Sequence, residues 1–176
     1  MPHVTYTIAA ALLRRDDEIL LVRQQGADDP HPRWALPGGV AEQGELLHEA
    51  LARELREETG ITLVRMGSLA YIAQMHIMHG LLRGYPGAAP EEYVATAYVC
   101  EVAEWRGELA SEDPDGFVSD ARFFPLADAI ALLDQLAYRV MREPAVAYLR
   151  GEVPSGAVWL YRRAEDGADT LLERLG

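Results

Sequence analysis

Three glutamates, Glu54, Glu57 and Glu58, stand at positions i, i+3 and i+4 of a helically periodic segment, Leu46 to Thr59, that runs into Gly60. With Glu54 set to 0° and about 100° per residue, Leu46, Leu47, Ala50, Leu51 and Leu55 all fall within about 100° of it. Glu57 and Glu58 fall at about −60° and +40° on the same wheel. The three carboxylates therefore continue the apolar stripe, while His48, Glu49, Ala52 and Arg56 take the opposite side. Unpaired like charges on a core-facing arc are costly or take up protons. A hard divalent cation among them removes that cost, since Mg2+ and Mn2+ prefer oxygen ligands. Their place near the helix C-terminus, where the dipole disfavours anions, points the same way. Just upstream, Leu36-Pro37-Gly38-Gly39 reads as a turn whose backbone can approach a ligand closely.

The elements that must position these groups follow from patterning. Val4 to Leu13 and Ile19 to Gln25 are apolar and β-branched, and a polar loop at 14–18 predicts a β-hairpin between them. Residues 26–33 form a proline-punctuated loop, Trp34 to Leu36 a short strand, and Pro37-Gly38-Gly39 its stop. Val64 to Met78 predicts one or two strands with a bend at Gly67-Ser68, and Tyr93 to Val102 another. His79 to Glu92 and Arg106 to Ser119 read as loops, and Ala121 to Phe124 as a short extended piece. Helices are expected over Leu126 to Ala137 and Val140 to Leu149, a last strand over Val158 to Arg162, and a helical or frayed tail from Glu165. The sum is one α/β domain of 176 residues.

At this point the chain resembles the Nudix family. Gly39, Glu45, Arg53-Glu54-Leu55, Glu57-Glu58 and Gly60-Ile61 match every fixed position and spacing of the Nudix box. The opening strands, the Trp34 to Gly39 turn and Ala121-Arg122-Phe123-Phe124-Pro125-Leu126 also look like the family. The resemblance spans a core of about residues 4–137, with 138–176 as a C-terminal extension. It implies an α/β/α sandwich around a mixed β-sheet, with an extra helix and strand at the C-terminus. It also implies hydrolysis of a pyrophosphate bond in a nucleoside diphosphate linked to another group, such as a nucleotide sugar, an ADP-ribose-like compound or a nucleoside triphosphate. By the same resemblance, Glu54, Glu57 and Glu58 bind Mg2+ (or Mn2+) with the Gly39 carbonyl. Arg53 and Glu45 pair to hold the loop–helix geometry, and Glu54 is the first candidate for general base. A downstream acid such as Asp113, Asp115 or Asp120 is the other, although Phe117 stands where many relatives carry a glutamate. Signatures of ADP-ribose, coenzyme A and diadenosine polyphosphate enzymes are not matched.

Candidate substrate contacts are Arg23 and Arg33 for phosphates and Trp34 and Tyr71 for a base or sugar. His76 and His79 precede a Gly/Pro-rich loop, and Trp159 and Tyr161 are expected to pack the core, with the extra helix or a homodimer partner as the alternative. A net charge of −12 argues against nucleic acid, which basic patches hold. All 16 basic residues are arginines, so any charged phosphate clamp here is a guanidinium. One cysteine, no long apolar run and no basic leader read as cytoplasmic, with no membrane partner. A non-catalytic Nudix domain serving as a sensor or regulator is the alternative; such domains commonly lose a box glutamate, and none is lost here.

Overall fold

The computed structural model describes residues 4–25, 31–77, 92–110, 114, 116–164 and 167–176. The expected histidine at position 79, the loop around it, and Asp113 and Asp115 lie outside these residues. Strand β1 (Val4–Leu12) sends Ile8, Ala10 and Leu12 to one apolar cluster and Ala9 and Ala11 to another. Both of its faces are covered, which is why this stretch is a continuous apolar run instead of an alternating one.

The expected hairpin between β1 and residues 19–25 does not form. The tight pair is β2 (Arg14–Arg15) with β3 (Glu18–Gln24), and Asp16 takes φ 54° in the turn. Ile19, Leu20, Leu21 and Val22 are all fully buried, so β3, like β1, needs cover on both faces. The two strands obtain it in separate sheets. In the second sheet, β3 also pairs antiparallel with β4 (Arg33–Ala35) through residues 22–24 and, along its whole length, with β8 (Val118–Pro125).

Gly38-Gly39 is likewise not a turn. It belongs to strand β5 (Gly38–Val40), which lies antiparallel on β1 with Gly39 opposite Ala9. At Gly38 φ is +147°, and a Cβ there would sit 2.6 Å from the Ala10 Cα, so this pairing admits only glycine. Helix α1 (Leu47–Thr59) is as expected and stops at Gly60, whose φ of 74° makes the left-handed cap. Leu46, placed on the apolar stripe by periodicity, is instead 62% exposed, because it is the N-cap and lies outside the helical turn.

The remaining elements are β6 (Thr62–Ile77), β7 (Tyr93–Arg106), α2 (Leu126–Leu133), α3 (Arg139–Leu149), β9 (Ala157–Arg163) and β10 (Asp169–Leu175). The bend expected at Gly67-Ser68 shows as register shifts of β6 against β7 between Leu63 and Tyr71. The first sheet runs β10-β9-β6-β7-β1-β5 and is mixed: β1 is parallel to β7 and β6 to β9. Through Ala50, Leu51 and Leu55, α1 packs on one face, against Ala9, Ala11, Cys100 and Val102. The other face is covered by α2 and α3 through Ala129, Leu133, Ala145, Val146 and Leu149. This is the α/β/α sandwich around a mixed sheet.

The tail is a strand, not a helix or a frayed end. The outer edge of β9 offers unpaired backbone groups, and β10 takes them up. Asp169 fastens it, accepting from Arg163 Nε and Nη2 at 2.7 and 3.2 Å. Arg139 of α3 donates to the Asp169 carbonyl at 3.1 Å and to Glu143, which also accepts from the Tyr161 hydroxyl at 2.8 Å. Trp159 and Tyr161 are thus core residues under α3. No helix among the described residues is long and apolar enough to cross a membrane.

Candidate active site

The carboxylates of α1 meet the sheet at its edge, against β5. The core side of the helix is set by Leu51 and Leu55, and one turn further on the same arc carries the acids. Glu58 is 7% exposed, and the Glu54 and Glu57 side chains are 13% and 26% exposed. Arg53 joins them to the preceding loop. Its Nε and Nη2 donate to the two carboxylate oxygens of Glu45 at 2.9 and 3.0 Å, and Nη2 also reaches the Val40 carbonyl at 3.1 Å. Its Nη1 donates to Glu54 at 2.8 Å and to Glu57 at 3.3 Å. Glu45 in turn accepts from the Glu42 N–H at 2.8 Å, which closes the loop before the helix.

The electrostatics follow from these contacts. Hydrogen bonding from Arg53 holds the Glu45 carboxyl below the usual carboxylate range, and the same bonds keep Arg53 charged. Burial pushes the Glu54 carboxyl up, against the pull of Arg53, with Glu57 and Glu45 adding to the rise. Glu58 faces the other way: its Oε2 accepts from the Gly38 N–H at 2.7 Å, and its Oε1 from Gln24 Nε2 at 3.4 Å. Helix and edge strand are thereby latched together.

Among the described residues, no three Asp, Glu, His or Cys side chains converge closely enough to hold a metal ion as they stand. The reason is visible in the contacts: Arg53 draws Glu54 and Glu57 to itself, and Glu58 is spent on β5. The donor set nonetheless fits a hard divalent cation. It consists of carboxylate oxygens on one helix face, and the Gly39 backbone is pressed against one of them. A Cβ on Gly39 would collide with Glu54 Oε1 and lie 2.7 Å from its carboxyl carbon. Gly39→Ala is therefore expected to push the Glu54 carboxylate off β5 and cost at least tenfold in turnover. Turnover within twofold of wild type would show that this close approach is dispensable.

A cavity of about 640 Å³ opens on the sheet face opposite α1 and ends at Gly38 and Gln24, the two groups that bind Glu58. Ile8, Ala10, Ala73, Ala95, Ala97 and Val99 line its floor, and Leu133, Leu136 and Val140 lie across from them. Arg33 and Tyr71 also line it. Arg33 extends Nη1 toward the Gln135 carbonyl at 3.4 Å, and Tyr71 is 3% exposed, with its hydroxyl pushed to higher pKa by burial. Arg23 and Trp34 are not among the lining residues. Arg23 is exposed, opposite Trp34 on β4 and Asp120 on β8, and Trp34 packs edge-on against Phe124 with centroids 4.7 Å apart. Strand alternation separates Arg33 from Trp34 onto opposite faces. Asp120 forms an ion pair with Arg122 at 2.6 Å, and His76 pairs with Glu92 at 2.7 Å.

Several groups in this arrangement leave no trace in sequence patterning. The Gly38 N–H and the Val40 carbonyl are backbone atoms, and Gln24 reaches Glu58 across 34 residues. The alanines of the floor are visible only once β1, β7 and β6 are laid side by side.

Comparison with known proteins agrees with this geometry. The chain matches the NUDIX domain family over residues 4–144. It is 43% identical over 54 residues to a CTP pyrophosphohydrolase of Escherichia coli, covering 31% of this chain and 40% of that one. It is 41% identical over 59 residues to the human 8-oxo-dGDP phosphatase NUDT18, covering 34% of this chain and 18% of that protein. The match thus spans well under half the length of either curated relative. Among solved structures, a MutT protein from Bacillus halodurans superposes with a TM-score of 0.65 at 21% identity, over 97% of this chain and 96% of that one. A MutT NUDIX hydrolase from Burkholderia pseudomallei gives 0.55 at 26% identity, over 81% and 96%.

Proposed function

Because the chain belongs to the Nudix family of hydrolases, we propose that it cleaves the pyrophosphate bond of a nucleoside diphosphate linked to another group, with Mg2+ or Mn2+ as cofactor. The observation that carries this reading is the acidic face of α1, where Arg53 joins Glu54 and Glu57 to Glu45, Glu54 is pressed against the Gly39 backbone, and Glu58 accepts from the Gly38 N–H. When bound, a divalent cation held by Glu54, Glu57, Glu58 and the Gly39 carbonyl would neutralise phosphate charge and acidify water.

The chain's own residues do the rest. Glu45 and Arg53 fix the loop relative to the helix, so that the carboxylates are aimed before substrate arrives. Glu54, whose carboxyl is raised by burial, is the candidate base for the attacking water. Glu58 holds β5 in place and with it the junction between the acidic face and the cavity. The relatives that act on CTP and on 8-oxo-dGDP support nucleoside di- and triphosphates as the first compounds to try. Nucleotide sugars and ADP-ribose-like compounds complete the set.

The experiment is incubation with that panel and Mg2+ or Mn2+, with products read by mass spectrometry in ¹⁸O-water. One dominant turnover identifies the substrate group and the attacked phosphorus. No turnover, with stabilisation by a single ligand, favours the sensor reading instead. A second measurement is thermal. Millimolar Mn2+ is expected to raise Tm by mass action, since it binds the folded carboxylates. Ligation requires deprotonated carboxylates, and burial raises the Glu54 pKa, so protons compete up to a higher pH than for an ordinary glutamate. The Tm shift is therefore expected to be larger at neutral than at mildly acidic pH. A shift that is absent, or equal at both, contradicts the assignment.

A further inference from the structure

Strand β3 runs along the acid-bearing helix. Leu20, Val22 and Gln24 share one face of it, and Leu20 joins Leu51 and Leu55 of α1 in one buried cluster. From Leu20 to Gln24 the strand advances about 13 Å, and from Leu51 to Glu58 the helix rises about 10 Å. The strand face therefore ends where the helix stripe ends, with Gln24 beside Glu58. Leu20 and Val22 are fully buried, so the pattern asks for an apolar residue at position 24 as well. It carries an amide instead, and that amide donates to Glu58 Oε1 at 3.4 Å.

The mount under Gln24 is firm. Its backbone is paired on both sides, to Arg33 of β4 and to Val118 of β8. Between Asp120 and Val118, β8 carries one extra residue, Ser119, opposite the Arg23–Gln24 step. Bulges of this kind recur beside active sites. Here the bulge is held closed: the Ser119 hydroxyl donates to the Arg23 carbonyl at 3.3 Å, and the Gln25 N–H to the Phe117 carbonyl at 3.0 Å. The second carboxylate oxygen of Glu58 accepts from the Gly38 N–H at 2.7 Å. One carboxylate is thus held at both oxygens by neutral donors from two separate sheets, β5 of the first and β3 of the second.

We propose that Gln24 is a positioning residue for the reaction, fixing the Glu58 carboxylate in the orientation in which it serves the divalent cation. This rests on cation-dependent cleavage at the α1 acids and adds a residue outside the motif that supports them. A free glutamate side chain loses rotamer freedom when a ligand fixes it. Gln24 imposes that loss during folding, so cation binding does not carry it. An amide suits the task. Its N–H orients the oxygen without neutralising it, whereas a Lys or Arg at this place would compete with the cation for the same charge. Hydrogen-bond partners of metal ligands are worth about 10–100-fold in metal affinity.

The test compares Gln24→Met, which keeps the length and loses the donor, with Val22→Ala, which removes packing from the same strand face. The probe is Mn2+ alone, titrated into the full chain and read from the electron spin resonance of the free ion, so no turnover is needed. Gln24→Met is expected to raise the Mn2+ Kd at least about tenfold, with Tm within a few degrees of wild type. Val22→Ala is expected to do the reverse, lowering Tm and leaving the Kd within about twofold of wild type. In turnover, the Mg2+ concentration for half-maximal rate is expected to rise in Gln24→Met by the same factor as the Kd, and kcat at saturating Mg2+ to fall by less. Gln24→Asn, whose amide is one methylene short of Glu58, is expected to match Gln24→Met and stands in if that variant does not fold. A Kd in Gln24→Met within about twofold of wild type, or an equal weakening in Val22→Ala, overturns the proposal and leaves the hydrolase reading standing. No Mn2+ binding by the wild-type chain overturns both.

Discussion

Glu54→Gln and Glu57→Gln are each expected to lower kcat by two orders of magnitude or more while Tm stays within a few degrees of wild type. The substitution keeps size and shape and removes only the charge. In the folded chain both carboxylates accept from the same Arg53 Nη1, at 2.8 and 3.3 Å, and a glutamine carbonyl can take either place. A neutral amide at position 54 also removes the desolvation that raises the carboxyl there, so folding loses little. Cation binding and water activation lose much more, because both depend on anionic oxygen. Removing one preorganised electrostatic group in an active site costs about 10²–10³ in kcat. Glu58→Gln is expected to lose activity as well, but with a measurable fall in Tm, because its carboxylate is 7% exposed and latches the Gly38 N–H at 2.7 Å. Steady-state rates with saturating Mg2+ and thermal melts decide the matter. Rates near wild type in all three variants would sink the active-site assignment.

Arg53→Ala is expected to be the most damaging single change to stability in the site, about 2–4 kcal/mol. Five hydrogen bonds converge on this guanidinium, to Glu45, Glu54, Glu57 and the Val40 carbonyl, and its side chain is 20% exposed. Deleting it leaves three partly buried carboxylates facing one another without a counter-charge. Arg53→Lys restores the charge but not the planar fork that grips both oxygens of Glu45. It is therefore expected to recover stability only in part, with kcat still reduced through misplacement of Glu54. A double variant, Arg53→Met with Glu45→Gln, tests the coupling: it is expected to be less destabilised than the sum of the two single changes. Strict additivity in urea melts would mean that Arg53 and Glu45 do not act as a pair.

Local signals in the chain carry much of this site. The i, i+3, i+4 spacing of Glu54, Glu57 and Glu58 and the stop at Gly60 each depend on a few consecutive residues, and the helix follows them. The Arg53–Glu45 pair was legible only through family spacing, since the two residues are joined across a loop.

Strand partners are another matter. β1 and β3 are adjacent in sequence and alike in composition, yet β1 pairs with β7, almost 90 residues on, and β3 with β8. Patterning indicates that each is buried on both faces, but it cannot name the neighbours that bury it. The same holds for β10, whose seven residues are polar enough to read as a tail until the open edge of β9 and the Asp169–Arg163 pair give them a place.

The sequence by itself therefore indicated the family, through the spacing of its motif, and the helix that bears the acids, through residue type and the 3.6-residue period. The tertiary structure decided what the acids touch: Glu58 turned to Gly38, Glu54 against Gly39, and the alanines of three strands lined up as one floor. These relations join residues far apart in the chain, and they exist only once the sheet's hydrogen-bond register has aligned them.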